Sequence, residues 1–188
     1  MGSLRTPAAY NNVFGFRPTP NLVPNGPADE VYFQHFAVAG PMARNVRDLA
    51  MLLSVMQGFD ARLPLTRRFD TSCDGQAPLV RDMAGCRVGW LGDLGGRLPM
   101  SPGLLATQEK SLQVFRDLGC EVDEASLDAD LESAWRAWVT LRSFQFSGAN
   151  LALHEDADKR AQLKPEAVWE IELGLKHTGV QVYQAAKA

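Results

Sequence analysis

Cys86-Arg87-Val88-Gly89-Trp90-Leu91 and Cys120-Glu121-Val122 each predict a short strand, and the two strands together indicate the fold class. Between them, Ser101-Pro102 predicts the start of a helix, with serine as the N-cap and proline at the first helical position. A strand, a helix and a strand within about forty residues indicate a right-handed parallel crossover. We therefore expect an α/β fold, with a partial mixed sheet flanked by helices.

The helix of this crossover is predicted to end at Gly119. Its buried side is predicted to consist of four apolar residues, namely Leu105, Leu112, Phe115 and Leu118.

A second helix is predicted between Asn45 as its N-cap and Gly58 as its C-cap. Apolar residues occupy most of its circumference, so we expect it to be mostly buried; they are Val46, Leu49, Ala50, Met51, Leu52, Leu53, Val55 and Met56. Residues 61–85 lack any period and are expected to form a loop.

The last part of the chain is predicted to be helical. Leu131, Trp135, Trp138 and Leu141 recur at helical spacing, as do Val168, Ile171 and Leu175 after Pro165. The two tryptophans could line a pocket, but such a stripe is more typical of a helix facing the core.

Composition excludes several classes of function. The 188 residues carry 19 Lys and Arg against 22 Asp and Glu, and no basic stripe appears, so we expect no nucleic acid partner. No apolar run approaches the roughly 18 residues that span a bilayer, and no signal peptide pattern begins the chain. We expect a cytoplasmic protein that does not contact membranes.

The cysteines and histidines do not indicate a metal site. Cys73, Cys86 and Cys120 form no Cys-x-x-Cys pair, and their odd number and wide spacing predict reduced thiols. The three histidines, His35, His154 and His177, are isolated from one another in the sequence. We expect neither a metal nor another cofactor.

Three short segments resemble the signature of the amidase signature family of serine hydrolases. Gly2-Ser3-Leu4-Arg5-Thr6-Pro7-Ala8 is similar to the family's Gly-Gly-Ser-[Ile/Leu]-Arg-x-Pro-Ala, with Met1 in the place of the first glycine. Gly15-Phe16-Arg17-Pro18-Thr19 is similar to Gly-Leu-Lys-Pro-Thr, and residues 40–48 resemble Gly-Pro-Met-Ala-Arg-Thr-Val-x-Asp. Their order and spacing also fit the family.

The resemblance implies a Ser-cisSer-Lys mechanism in which Ser3 attacks an amide carbonyl. In the family a second serine relays the proton to a lysine, and water then releases the acyl group, which is a variant of triad logic. Backbone amides near Gly2 would stabilise the oxyanion. Arg5 resembles a family arginine near the nucleophile, for which a structural ion pair is expected rather than direct catalysis.

The lysine and the cis-serine precede the nucleophile in the family, and neither can be assigned here. We expect residues 1–188 to form a partial amidase signature domain that lacks this N-terminal region and the C-terminal closing strands. The lysines are Lys110, Lys159, Lys164, Lys176 and Lys187, which are expected to be solvated surface charges. His35 is expected to line a pocket or the core rather than to act as a base.

Two functions follow as alternatives. The first is an amidase that cleaves a small carboxylic amide, inactive alone because its base is absent. Residues 34–41 differ from the run that the family's glutamyl-tRNA amidotransferase subunit carries there, which favours a stand-alone amidase. The second is a non-catalytic binding or assembly module, because uncovered strand edges and apolar helix faces would require a complementing chain or self-association.

Overall fold

The computed structural model describes residues 3–26, 28, 30–33, 37–66 and 78–187. Met1, Gly2, His35 and Cys73 therefore lie outside the described residues. The chain divides into two compact units, of which one comprises Met1–Pro78 with Glu132–Ala188 and the other Leu79–Leu131. The partial amidase signature domain expected for residues 1–188 stays a prediction.

The smaller unit contains the strand, helix and strand that the sequence predicts. Strand β3 (Arg87–Trp90) pairs in parallel with β4 (Glu121–Glu124), with Val88 opposite Val122, and helix α3 (Leu104–Asp117) connects them. The expected α/β class is thus confirmed. The described strands lie in two separate two-stranded sheets, one parallel and one antiparallel.

The limits and the buried face of α3 differ from the prediction. Its N-cap is Gly103, at φ 78°, so Ser101-Pro102 lies in the preceding turn rather than in the helix. The predicted end is confirmed, because Gly119 adopts a left-handed φ of 82° just after the helix. Of the predicted buried face only Leu112 is buried, whereas Phe115 and Leu118 are exposed.

The larger unit begins with α1 (Arg5–Tyr10), β1 (Phe14–Gly15), β2 (Met42–Ala43) and α2 (Val46–Met56). Asn45 caps α2 as predicted: its side-chain oxygen accepts a hydrogen bond from the Asp48 amide at 2.9 Å. The C-cap prediction is wrong, because Gln57 turns extended after Met56 and Gly58 does not adopt a left-handed conformation.

Helix α2 is also less buried than its composition suggests. Leu49, Ala50 and Leu53 form a buried stripe. The opposite face is apolar and exposed; it comprises Met51, Leu52 and Val55. The expectation of a mostly buried helix is therefore wrong. After α2 the described part of residues 57–86 contains no helix or strand, in agreement with the predicted loop.

The C-terminal helices confirm the predicted helical spacing. They are α4 (Leu131–Glu155), α5 (Ala157–Arg160), α6 (Pro165–Gly174) and α7 (Gly179–Ala185). Ile171 is completely buried on α6. A Cβ on Gly174 would clash with the Ser143 carbonyl oxygen, so glycine permits close approach of α4 and α6. Among the described helices, none is long and apolar enough to cross a bilayer.

Candidate active site

Ser3 is exposed and lies directly before a buried anchor residue. Its neighbour Leu4 is only 7% exposed and precedes α1, and the Leu4 carbonyl accepts a hydrogen bond from the Ala8 amide at 3.2 Å. Ala8 is also buried. Packing therefore fixes the backbone next to Ser3, whereas Ser3 itself is open to solvent.

Gly15 and Gly40 belong to the second and third signature segments, and both lie against residues at the start of α1. A Cβ on Gly15 would lie 2.8 Å from Ala8 Cβ and 2.9 Å from the Leu4 carbonyl oxygen. A Cβ on Gly40 would lie 3.0 Å from Leu4 Cδ1 and would clash with the Phe16 carbonyl oxygen. Both positions require glycine because the backbone of neighbouring segments approaches too closely for a side chain.

Backbone pairing joins the second and third signature segments. In the antiparallel pair β1–β2, Phe14 lies opposite Ala43 and Gly15 opposite Met42. The Phe16 amide donates to the Pro41 carbonyl at 3.1 Å. We call this assembly of residues 3–8, 14–19 and 40–48 the serine corner. The structure thus brings together the three segments that the sequence analysis identified.

The other predicted site residues contribute less to this arrangement. Gly2 and His35 lie outside the described residues, so their predicted roles are untested. Arg5 is exposed at the first position of α1, and no described carboxylate lies within 4.0 Å of its guanidinium. The structural ion pair expected for Arg5 stays a prediction.

The lysines are surface charges, as expected. All five are exposed, and the Lys159 ammonium forms an ion pair with Asp156 at 3.0 Å. Exposed ammonium groups of this kind are solvated by water, which is the ordinary environment of a lysine side chain.

Trp135 and Trp138 are not core residues, contrary to the pattern-based expectation. Trp135 is 60% exposed and Trp138 40% exposed, and their rings stack with centroids 5.0 Å apart. The Arg142 guanidinium lies 5.9 Å from the Trp138 ring and is held by Glu170 at 2.6 Å. Their role as an acyl pocket stays untested.

A second serine and a histidine come together at a place that the sequence does not mark. Ser143 Oγ lies 3.0 Å from His177 Nε2 and also donates to the Val139 carbonyl at 2.8 Å. The Ser143 hydroxyl has one proton, so when that proton is donated to the Val139 carbonyl the imidazole is the donor in the second bond. Ser143 is 1% exposed, so this pair joins α4 to the segment between α6 and α7 rather than forming a nucleophile and base. His177 itself lines an open depression of about 380 Å³ between α4 and α7.

Asp60 and Asp156 have carboxyl groups that are more acidic than usual. Hydrogen bonds from the Arg62 side chain hold the pKa of Asp60 at about 2, in the loop after α2. A hydrogen bond from the Lys159 side chain lowers the pKa of Asp156. In the described part of the chain no three His, Cys, Asp or Glu side chains cluster closely enough to hold a metal ion.

Comparison with known proteins identifies the family in which the serine corner occurs. The sequence model of the Amidase family matches residues 1–177. The chain therefore belongs to the amidase family, as the three signature segments predict. The matched region includes all three segments of the serine corner, so the motifs and the family model agree on the same residues.

Individual relatives are enzymes of more than one kind. The A subunit of glutamyl-tRNA(Gln) amidotransferase from Thermus thermophilus is 35% identical over 158 residues, which are 82% of this chain and 31% of that protein. An acylamidase of Rhodococcus erythropolis is 34% identical over 143 residues, covering 73% and 29% of the two chains. The chain thus spans about a third of the length of these relatives.

Solved structures show the same fold. A bacterial aryl acylamidase of the amidase signature enzymes superposes with a TM-score of 0.81 at 23% identity, over 98% of this chain and 39% of the other. A 6-aminohexanoate cyclic dimer hydrolase gives a TM-score of 0.76 at 18% identity, over 99% and 40%. The expected fold, a part of the amidase signature fold, is confirmed.

Proposed function

We propose that this chain carries the nucleophile of an amidase, with Ser3 attacking the carbonyl carbon of a small carboxylic amide. The amine leaves as the acyl group is transferred to the Ser3 oxygen, and water then hydrolyses the ester to a carboxylic acid. The observation that carries this proposal is the exposed Ser3 next to buried Leu4, in a corner closed by Gly15 and Gly40. Such positioning of a nucleophile is a precondition for covalent catalysis.

We propose that a group outside the described residues accepts the proton of Ser3. A serine hydroxyl is a weak nucleophile without an adjacent base, and all five lysines of this chain are exposed. We infer that the lysine and relaying serine of the family mechanism come from protein beyond these 188 residues. The backbone near Gly2 would supply an oxyanion donor, an interaction whose loss costs about 3 kcal/mol of transition-state stabilisation in other enzymes.

Direct assay of the 188-residue chain tests whether Ser3 is the nucleophile and whether its base has to be supplied from outside the chain. We expect no release of 4-nitroaniline from 4-nitroacetanilide, because Ser3 lacks its base. Hydrolysis that Ser3→Ala abolishes and Thr6→Ala preserves would confirm the nucleophile but contradict the external base. Hydrolysis that survives Ser3→Ala would contradict the proposed nucleophile itself.

A chimera tests whether the serine corner works when the base is supplied. A segment of this chain that contains the serine corner would replace the matching segment of the Rhodococcus acylamidase, which keeps the rest of its own sequence. We expect amide hydrolysis by the chimera, its loss in Ser3→Ala and its retention in Thr6→Ala. Thr6 is the matched control because it is exposed on the first turn of α1, close to Ser3 in sequence.

The second candidate function is a non-catalytic binding or assembly module. It is favoured by exposed apolar side chains, of which Met51 is 51%, Val55 77% and Val180 70% exposed. Such surface is stabilised when a partner chain or a second copy covers it. Light scattering distinguishes the cases: a monodisperse monomer that binds no hydrophobic dye would contradict the module, and concentration-dependent association would support it.

A further inference from the structure

The dipeptides Gly85-Cys86 and Gly119-Cys120 lie side by side, immediately before β3 and β4. The Gly85 amide donates to the Gly119 carbonyl at 2.9 Å, and the Glu121 amide donates to the Cys86 carbonyl at 2.9 Å. These bonds lie on both sides of Cys86 and Cys120 along the two segments. The two cysteines are therefore held next to each other, each at the residue before its strand.

The strand register places both side chains on the same face. Arg87 lies opposite Glu121 and Val88 opposite Val122, so the preceding residues, Cys86 and Cys120, are the next pair. Side chains alternate along a strand, which assigns both cysteines to the face of the two valines. Burial agrees with this assignment: Cys86 is half-buried and Cys120 buried, whereas Arg87 and Glu121 are exposed.

The strand spacing expected for a register pair suits a disulfide. Neighbouring strands lie about 4.7–4.9 Å apart, within the range of about 4.4–6.8 Å between Cα atoms that a disulfide requires. The Met83 carbonyl oxygen also joins the pair, because it accepts from the Cys86 amide at 3.0 Å and from Cys120 Sγ at 3.5 Å. The Cys120 sulfur thus already lies beside the backbone of Cys86.

We propose that Cys86 and Cys120 are a dithiol modification site that is converted reversibly to an intramolecular disulfide. A peroxide oxidises the more accessible Cys86 thiol to a sulfenic acid, releasing water or an alcohol. The Cys120 thiol attacks that sulfur, the S–O bond of the sulfenic acid breaks as the S–S bond forms, and water leaves. The peroxide gains the two electrons that the two thiols lose. A small disulfide such as oxidised glutathione gives the same product by two exchange steps, releasing two small thiols.

The disulfide would join the beginnings of the two parallel strands and close the chain around α3. It would constrain the unfolded chain and so stabilise the Leu79–Leu131 unit. The sequence spacing of Cys86 and Cys120 does not indicate this pair, because their proximity arises from strand register. The inference is independent of Ser3 and of the proposed amidase activity.

Equilibration with reduced and oxidised glutathione tests the proposal on the 188-residue chain. Cys73→Ser restricts intramolecular pairing to Cys86 and Cys120, and the ratio of disulfide to dithiol is measured after acid quenching by non-reducing peptide mapping. We expect a ratio at least about tenfold higher in native buffer than in concentrated urea, because the fold holds the thiols together. On the same background, Cys86→Ser and Cys120→Ser should form only mixed disulfides with glutathione or dimers.

Either of two results with the Cys73→Ser chain would overturn the proposal. One is an equal disulfide ratio in native buffer and in urea; the other is a two-cysteine chain that accumulates only mixed disulfides. If Cys73→Ser disturbs folding, peptide mapping of the unsubstituted chain provides the test. A disulfide-linked Cys86–Cys120 peptide would support the proposal, and predominant pairing of either residue with Cys73 would contradict it.

Discussion

Gly40 lies against Leu4, so that a Cβ on the glycine would come within 3.0 Å of Leu4 Cδ1. The same Cβ would clash with the Phe16 carbonyl oxygen, a backbone atom that cannot avoid the contact by a change of rotamer. This contact joins all three segments of the serine corner. It explains physically why a glycine stands at the start of the third signature segment.

Gly40→Ala should destabilise the chain by about 2–3 kcal/mol, because overpacking forces the backbone of the corner apart. The free energy of unfolding in urea measures this change. Gly58→Ala is the matched control: nothing lies within 4 Å of its added Cβ, and Gly58 has no left-handed φ. That control should be neutral or stabilising by about 0.5 kcal/mol. Equal effects of the two substitutions would contradict the packing described for the corner.

Asn45→Ala should cost about 1 kcal/mol of stability, because the Asp48 amide loses its capping partner. Chemical denaturation followed by circular dichroism measures the loss. Arg47→Ala is the control, since Arg47 is exposed in the first turn of the same helix. It should be neutral or slightly stabilising, because alanine favours a helix and a positive charge at a helix N-terminus does not. Equal stability of Asn45→Ala and Arg47→Ala would mean that the Asn45 cap contributes nothing to the free energy of unfolding.

The pKa of Asp60 is about 2, below its ordinary 3.8, because the Arg62 side chain hydrogen-bonds the carboxylate at 2.6 Å and 2.9 Å. A carboxyl with a lowered pKa in the folded state stabilises the protein above about pH 4, and the contribution is lost as pH falls towards 2. Arg62→Ala should return the pKa of Asp60 towards 3.8. An NMR titration of the carboxyl carbon measures it, and an unchanged midpoint would show that Arg62 is not the cause.

The bond between Ser143 and His177 should appear as a coupling in stability. A double-mutant cycle of Ser143→Ala and His177→Ala is expected to give a coupling energy of about 1 kcal/mol. Ser54 is the control serine, since its hydroxyl bonds the Met51 carbonyl of its own helix at 2.7 Å. A cycle of Ser54→Ala with His177→Ala should give no coupling. Additive effects in the first cycle would mean that the hydrogen bond contributes no coupling energy to stability.

Local signals allowed several elements to be predicted from the sequence. The Asn45 cap, the left-handed Gly119 and the parallel pairing of β3 and β4 depend on residues close in sequence or on strand patterns. The signature segments led to Ser3 and to the family. Here the residue types themselves carry the information, because caps and tight turns accept few alternatives.

Burial and long-range contacts could not be predicted in the same way. The apolar face of α2 at Met51 and Val55 has the composition of a buried face, yet it is exposed. The tryptophans of α4 were expected in the core for the same reason. Periodicity indicates which residues share a helix face, but not whether another part of the protein covers that face. Ser143 and His177 are 34 positions apart, and only the packing of α4 against α6 brings them together.

The proposed function requires that Ser3 forms the acyl-enzyme when a base is supplied. Intact-protein mass spectrometry of the acylamidase chimera, quenched during turnover of 4-nitroacetanilide and followed by peptide mapping, measures it directly. We expect an acetyl group on the peptide that carries Ser3, present in Thr6→Ala and absent in Ser3→Ala. Acetylation of a different residue, or undiminished hydrolysis by Ser3→Ala, would contradict it.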